Sequence, residues 1–195
     1  MQHSSEPANE LTLDLGSASC LRPFSGDDAA SLHEVFLDDE VKRYLCDGND
    51  VEREWVDSVI EDSRADFEGG RAGMWSIVRG DGEIAEVVGF VGVRDFFDPP
   101  RRQLIYALHP NAWGRGLATI AVNRVLMVLF DDLQWSRVEA ATDEPNVASV
   151  RVLERLGFER FVPDDPVEGG GAFGETLFFE LERDRFRGDG PPTGG

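Results

Sequence analysis

The chain has 195 residues, 41% of them hydrophobic, which suffices for one domain with a substantial core, and no apolar run is long enough to span a membrane. Its 38 acidic residues against 19 basic ones give a formal net charge of −19, which excludes nucleic acid as a bulk partner because a phosphate backbone needs a basic surface. Cys20 and Cys46 lack CxxC or Cys/His ligand spacing, so neither a metal site nor a disulfide framework is expected.

Lys42 is the one lysine among the basic residues, and the rest are arginines. A high-salt cytoplasm, where an acidic surface stays soluble, and GC-rich coding account equally for that bias. Such a surface also suits a cationic amine or a basic peptide. The N-terminus has no basic start followed by an apolar core, so a cytoplasmic location is expected.

Residues 1–18 are polar and patternless and are expected to form a disordered tail, as is the Gly/Pro-rich end at 184–195; a single domain is expected over 19–183. CLRPF (20–24) reads as a first strand. SGDDAASLHEVF (25–36) then reads as a helix with Ser25, Asp27 or Asp28 as N-cap. VEREWVDSVIEDSRADF (51–67) is a second helix with Trp55, Val59 and Ile60 on one face. Three strand-like runs follow, MWSIVR (74–79), EVVGFVGVRDFF (86–97) and RRQLIYAL (101–108), whose short Gly/Asp and Asp/Pro links indicate an antiparallel meander. Next come a helix from 117 to about 132, the strand RVEAAT (137–142), a helix at 146–156, and the strands FERF and ETLFFELE. A meander followed by alternating helix and strand predicts an α/β fold with a mixed sheet and helices on its faces.

The link NAWGRGLA (111–118) passes from a strand into a helix through Gly114 and Gly116. A glycine turn at a helix start leaves backbone N–H groups free for an anion, backed by the positive end of the helix dipole, and Arg115 can add a charge. A plain tight turn explains the same spacing. Neither GxGxxG, which would need glycine at Thr119, nor GxxxxGK[ST] is present. In NVASVRVLERLGF, Ser149 falls on the stripe of Val152, Leu153 and Leu156, and Asn146 lies on the same side. Two small polar side chains extending an apolar stripe suit a semi-buried site; an N-cap and a close-packing serine suit them equally.

Together, YALHPNAWGRGLAT and, about 30 residues on, NVASVRVLERLGFER resemble the GCN5-related N-acetyltransferases (GNAT), and within them the ribosomal-protein alanine acetyltransferases, over residues 20–182. The family's loop pattern is Arg or Gln, two residues, Gly, one residue, then Gly or Ala; Asn111 stands at the first place and departs from it. The resemblance implies a mostly antiparallel sheet with two splayed parallel strands, RRQLIYAL and RVEAAT, and acetyl-CoA as cosubstrate between them, with no metal. It implies cofactor contacts from Leu108, Trp113, Gly114, Arg115, Gly116, Leu117, Ala118, Thr119, Asn146 and Ser149, and direct attack by a primary amine on the thioester. Many relatives supply a proton to the leaving thiolate from a tyrosine where Leu153 stands here, so Ser149 is the expected acid. Glu139 is the first choice for the base and Asp95 the reserve. Tyr106 and Trp113 are expected as core or cofactor-wall aromatics. The acceptor implied is a protein N-terminal or ribosomal-protein amine; a small amine (aminoglycoside, polyamine or amino acid) and a non-catalytic acyl-CoA sensor are the alternatives. No nucleic acid or membrane partner is expected, and a monomer or homodimer is.

Overall fold

A computed structural model describes residues 11–80, 82–98, 100–164 and 175–188. Eight strands form one sheet: β1 (Leu13–Gly16), β2 (Ser19–Pro23), β3 (Met74–Arg79), β4 (Glu86–Phe96), β5 (Arg101–Leu108), β6 (Arg137–Asp143), β7 (Glu159–Phe161) and β8 (Thr176–Glu182). Their order is β1-β2-β3-β4-β5-β6-β8-β7, and every neighbouring pair is antiparallel except β5 and β6. The helices are α1 (Ala29–Leu37), α2 (Asp39–Leu45), α3 (Arg53–Glu68), α4 (Leu117–Met127) and α5 (Val147–Arg155). This is the mixed α/β arrangement expected from the sequence.

Two cores form, one on each face of the sheet, because strand side chains alternate. On β5, Leu104, Tyr106 and Leu108 pack toward α4 and α5, whereas Ile105 and Ala107 pack toward α1 and α3. The parallel contact between β5 and β6 is short, with only Gln103↔Glu139 and Leu104↔Ala140 in register. Beyond it, β5 stays paired with β4 as far as Leu108↔Gly89, and β6 with β8 as far as Asp143↔Thr176. The two strands therefore separate like a V, each held by its outer neighbour.

The start of α1 is fixed by a buried carboxylate. Asp28, 3% exposed, accepts from Arg22 Nη2 at 2.6 Å and Ser76 Oγ at 2.8 Å, and closes a capping box with Ser25. Asp38 caps α2, accepting from the N–H groups of Glu40 and Val41.

Three boundaries differ from the expectation. The chain joins the sheet at β1, inside the stretch read as a tail, through a turn in which Ser17 and Ala18 adopt φ 52° and 53° without a glycine at either place. Trp75 Nε1 also donates to Leu11 O at 2.9 Å, so long-range pairing orders a segment with no pattern of its own. At the other end Phe186, placed in the C-terminal tail, packs its ring 5.0 Å from that of Phe130. Helix α2 has no counterpart among the expected elements, because one cap and a single buried residue, Val41, give almost no periodicity. Of the loop VPDDPVEGGGAFG (162–174), expected together with 26–68 to set the acceptor, residues 165–174 lie outside the described residues, as do 189–195 of the tail.

Candidate active site

The V between β5 and β6 opens into a cleft of about 620 Å³, walled by α2, the 112–119 turn and the start of α5. Leu108, Trp113, Gly114, Gly116, Leu117, Ala118, Thr119, Asn146 and Ser149 all line it, which brings together two motifs about 30 residues apart. Arg115 is exposed and does not contribute to the wall.

Gly116 caps α4 in the left-handed conformation at φ 72°, two residues after Gly114 at φ 76°. The backbone N–H groups of residues 114–119 make no hydrogen bond among the described residues, and no side chain caps the helix. A Cβ on either glycine would meet nothing within 4 Å, so the space in front of these donors is open. A row of free N–H groups at the positive end of an 11-residue helix suits an anion such as a phosphate. The residues present thus fit a pyrophosphate. Asn111, at the departing motif position, turns to Glu86, with its Nδ2 donating to Glu86 Oε1 at 3.3 Å.

On β5, His109 N–H donates to Val88 O in β4, so strand alternation turns the N–H of Leu108 the other way, into the gap. The Leu108 carbonyl is fixed by Trp113 Nε1 at 2.7 Å, although the Trp113 ring is 48% exposed. Asn146 Oδ1 accepts from Ser149 N at 3.2 Å and caps α5 while its side chain lines the cleft, so the N-cap and the cleft-wall positions coincide.

A second cavity, about 230 Å³, adjoins the cleft through Tyr44, Leu45, Tyr106, Asn146 and Ser149. At this junction Tyr106 Oη lies 2.8 Å from Ser149 Oγ and 3.2 Å from the Ser149 carbonyl. Burial pushes the Tyr106 phenol up to about 12, partly offset by the Ser149 hydrogen bond, so it stays protonated at neutral pH. The two hydroxyls share one hydrogen bond in which either can donate, and when Tyr106 donates to Ser149 Oγ the serine hydrogen is free for the cleft. Sequence spacing cannot show this pair, because it forms across two elements 43 residues apart.

The expected bases stand elsewhere. Glu139 accepts from Arg101 Nη2 and Nε at 2.7 and 2.9 Å, and its other oxygen lies 2.8 Å from Arg137 Nη2; it lines neither cavity. Asp95 is exposed, 3.4 Å from Arg102 Nη1, and lines neither cavity either. Their guanidinium partners turn both side chains away from an incoming amine. The second cavity is instead lined by Asp143, 8% exposed, and by Asp47. Among the described residues no group of three or more His, Cys, Asp or Glu is placed to hold a metal ion.

The model of the acetyltransferase (GNAT) domain matches residues 19–159. An uncharacterized N-acetyltransferase of Bacillus subtilis (strain 168), YoaA, is 31% identical over 141 residues, covering 72% of this chain and 78% of that protein. Among solved structures, an acetyltransferase from Agrobacterium tumefaciens str. C58 is 22% identical with a TM-score of 0.70, over 93% of this chain and 98% of that one. RimL, a ribosomal L7/L12 alpha-N-protein acetyltransferase solved in complex with coenzyme A, is 15% identical with a TM-score of 0.68, over 88% of this chain and 97% of that one. The splayed strands, the free N–H row and these likenesses agree, and the chain belongs to the GNAT acetyltransferase family as an acetyl-CoA-dependent N-acetyltransferase.

Proposed function

We propose that this enzyme acetylates the primary amine of a protein N-terminus or ribosomal protein, presented through the smaller cavity to a reaction centre at Tyr106 and Ser149. The observation that carries it is the 2.8 Å hydroxyl pair standing where the cofactor cleft meets that cavity. The N-terminal-amine reading is further supported by the likeness to RimL, whose acceptor is a ribosomal protein.

Acetyl-CoA supplies the acyl group as a thioester when bound. The N–H groups at 114–119 hold its pyrophosphate, Asn146 meets its pantetheine arm, and Leu108 N–H is the donor for a thioester oxygen in the gap. Such preorganised positioning and carbonyl polarisation account for much of an acyl-transfer acceleration. Ser149 Oγ donates a hydrogen bond to the leaving sulfur, and Tyr106 holds it in place for that. A phenol at about 12 is too weak an acid to protonate a thiolate outright, so the pair acts first as a hydrogen-bond donor. The proton that completes the thiol is the second one the amine nitrogen loses, as the amide forms, after the ammonium proton has gone to the base. Asp143, on the acceptor side, takes the place expected of Glu139 and receives the ammonium proton.

Thiol release from acetyl-CoA with a panel of N-terminal peptides and simple amines tests the reading. Peptide turnover that falls in Ser149→Ala and Tyr106→Phe, with cofactor affinity retained, is expected. Cofactor binding without turnover of any amine refutes it.

A further inference from the structure

A third cavity, about 230 Å³, continues from the smaller one along the α1–α3 face and shares Leu45, Asp47, Phe96 and Ile105 with it. Aromatic rings dominate its wall, with Phe36 and Phe90 stacked at 4.8 Å and Trp55 edge-on to Phe36 at 5.1 Å. Into this apolar wall the fold sets Arg94, whose guanidinium carbon lies 5.1 Å from the Trp55 ring centre. Among the described residues no carboxylate lies within ion-pair distance of it, unlike Arg22, Arg101, Arg102 and Arg137, which all have one. Cys46, also on the wall, stays a neutral thiol because burial holds it at about 11, whereas Asp47 lines the same wall without pairing with Arg94, and Asp62 and Asp95 act on Arg94 only from beyond ion-pair distance.

Directly across the β4–β5 ladder from Arg94 is Gln103. It is 3% exposed, lines the acceptor cavity, and its Nε2 is buried with no hydrogen-bond partner. A half-buried guanidinium with no direct ion pair and a buried amide N–H without a partner, on one face of adjacent strands, are two unmet demands next to each other. Each is costly to leave unmet, and a planar carboxylate meets both, because the guanidinium fork grips its oxygens and the amide N–H adds a third donor.

We propose that Arg94 and Gln103 form a carboxylate-binding subsite for the acceptor, so that the preferred substrate is an amine carrying a carboxylate beside an apolar or aromatic portion. This rests on the amine-acetylation reading above and narrows its substrate class. The subsite lies three residues along β5 from Tyr106, about 10 Å at strand spacing, which is a reach suited to a short peptide or an amino-acid derivative. The ammonium end then meets Asp143, and the anionic end meets Arg94. The carboxylate comes either from a free C-terminus or from an acidic side chain next to a peptide N-terminus.

Matched acceptors test it by steady-state thiol release. Ala-Phe against Ala-Phe-amide reports a free terminal carboxylate, and Ala-Glu-amide against Ala-Gln-amide reports an acidic side chain. We expect at least one acidic member to have a KM about 10-fold or more below its neutral twin. That ratio falls to near one in Arg94→Met and shrinks in Gln103→Leu, while acetyl-CoA KM and the neutral acceptors' kcat are unchanged. Equal KM values within both pairs in the wild type overturn the subsite and leave amine acetylation standing. Should no peptide turn over, titration with 3-phenylpropionate and 3-phenylpropanamide, followed by tryptophan fluorescence, decides separately. Acid-selective binding lost in Arg94→Met upholds the subsite although the peptide-acceptor reading has failed, and absence of acid selectivity overturns it.

Discussion

Replacing Gly116 by aspartate and by asparagine separates charge from shape in the phosphate cradle. Gly116 has φ 72°, and a Cβ there meets nothing within 4 Å, so both side chains fit and both belong to the types that tolerate left-handed backbone. The backbone strain, about 1 kcal/mol, is common to the two variants. In the protein without cofactor the aspartate stands at the open start of α4, where a negative charge is favourable by about 0.3–1 kcal/mol. With a pyrophosphate at the 114–119 N–H groups, the same carboxylate would face like charge, and a separation of about 5 Å sets the scale of the repulsion. At an effective dielectric near 20 that repulsion is about 3 kcal/mol, trimmed by salt to about 2–3. Gly116→Asp is therefore expected to melt no lower than Gly116→Asn, yet to bind acetyl-CoA about 30- to 150-fold more weakly. Calorimetric titration at two ionic strengths, alongside thermal melts, provides the comparison, and the gap should narrow in higher salt. Equal affinities for the two variants would refute the assignment of the 114–119 N–H groups to the pyrophosphate.

Ser149→Ala should lower kcat about 10²-fold while leaving acetyl-CoA affinity within about 2-fold, and the double change with Tyr106→Phe should add little, since the two hydroxyls act as one unit; additive losses in single-turnover thiol release would show that they act separately. Tyr106 also sets a pH dependence of stability: its phenol is held up at about 12 when folded against an ordinary value near 10, so the native state keeps a proton the unfolded chain loses. Stability should accordingly fall by about 2 kcal/mol more between pH 10 and 12 in the wild type than in Tyr106→Phe, as read from urea unfolding across that range. Asp28→Ala removes the acceptor of Arg22 and Ser76 and opens the capping box; with Arg22 partly exposed the loss should be about 2–3 kcal/mol, and a denaturation midpoint equal to the wild type would contradict the network.

Much of this was written along the chain, because the relevant physics is local. The alternation of β3, β4 and β5, the glycines at 114 and 116, and the stripe of α5 each follow from neighbours a few residues apart. Where local pattern is weak, as at β1 and α2, the sequence alone indicates no element, since pairing with β2 and a single cap are what define them.

The free N–H row at 114–119 could be expected from sequence because consecutive backbone N–H groups at a glycine turn are a local feature, although the spacing alone suits a plain tight turn equally. The acceptor side could not. Glu139 and Asp95 both sit on strands that border the site, and only the structure shows their carboxylates turned to Arg101, Arg137 and Arg102. Tyr106 meets Ser149, and Arg94 stands beside Gln103, only because separate strands and a helix are brought together in the folded sheet. Backbone chemistry that repeats along the chain is encoded in order, whereas side-chain partnerships across strands are decided by register and by which face each residue takes.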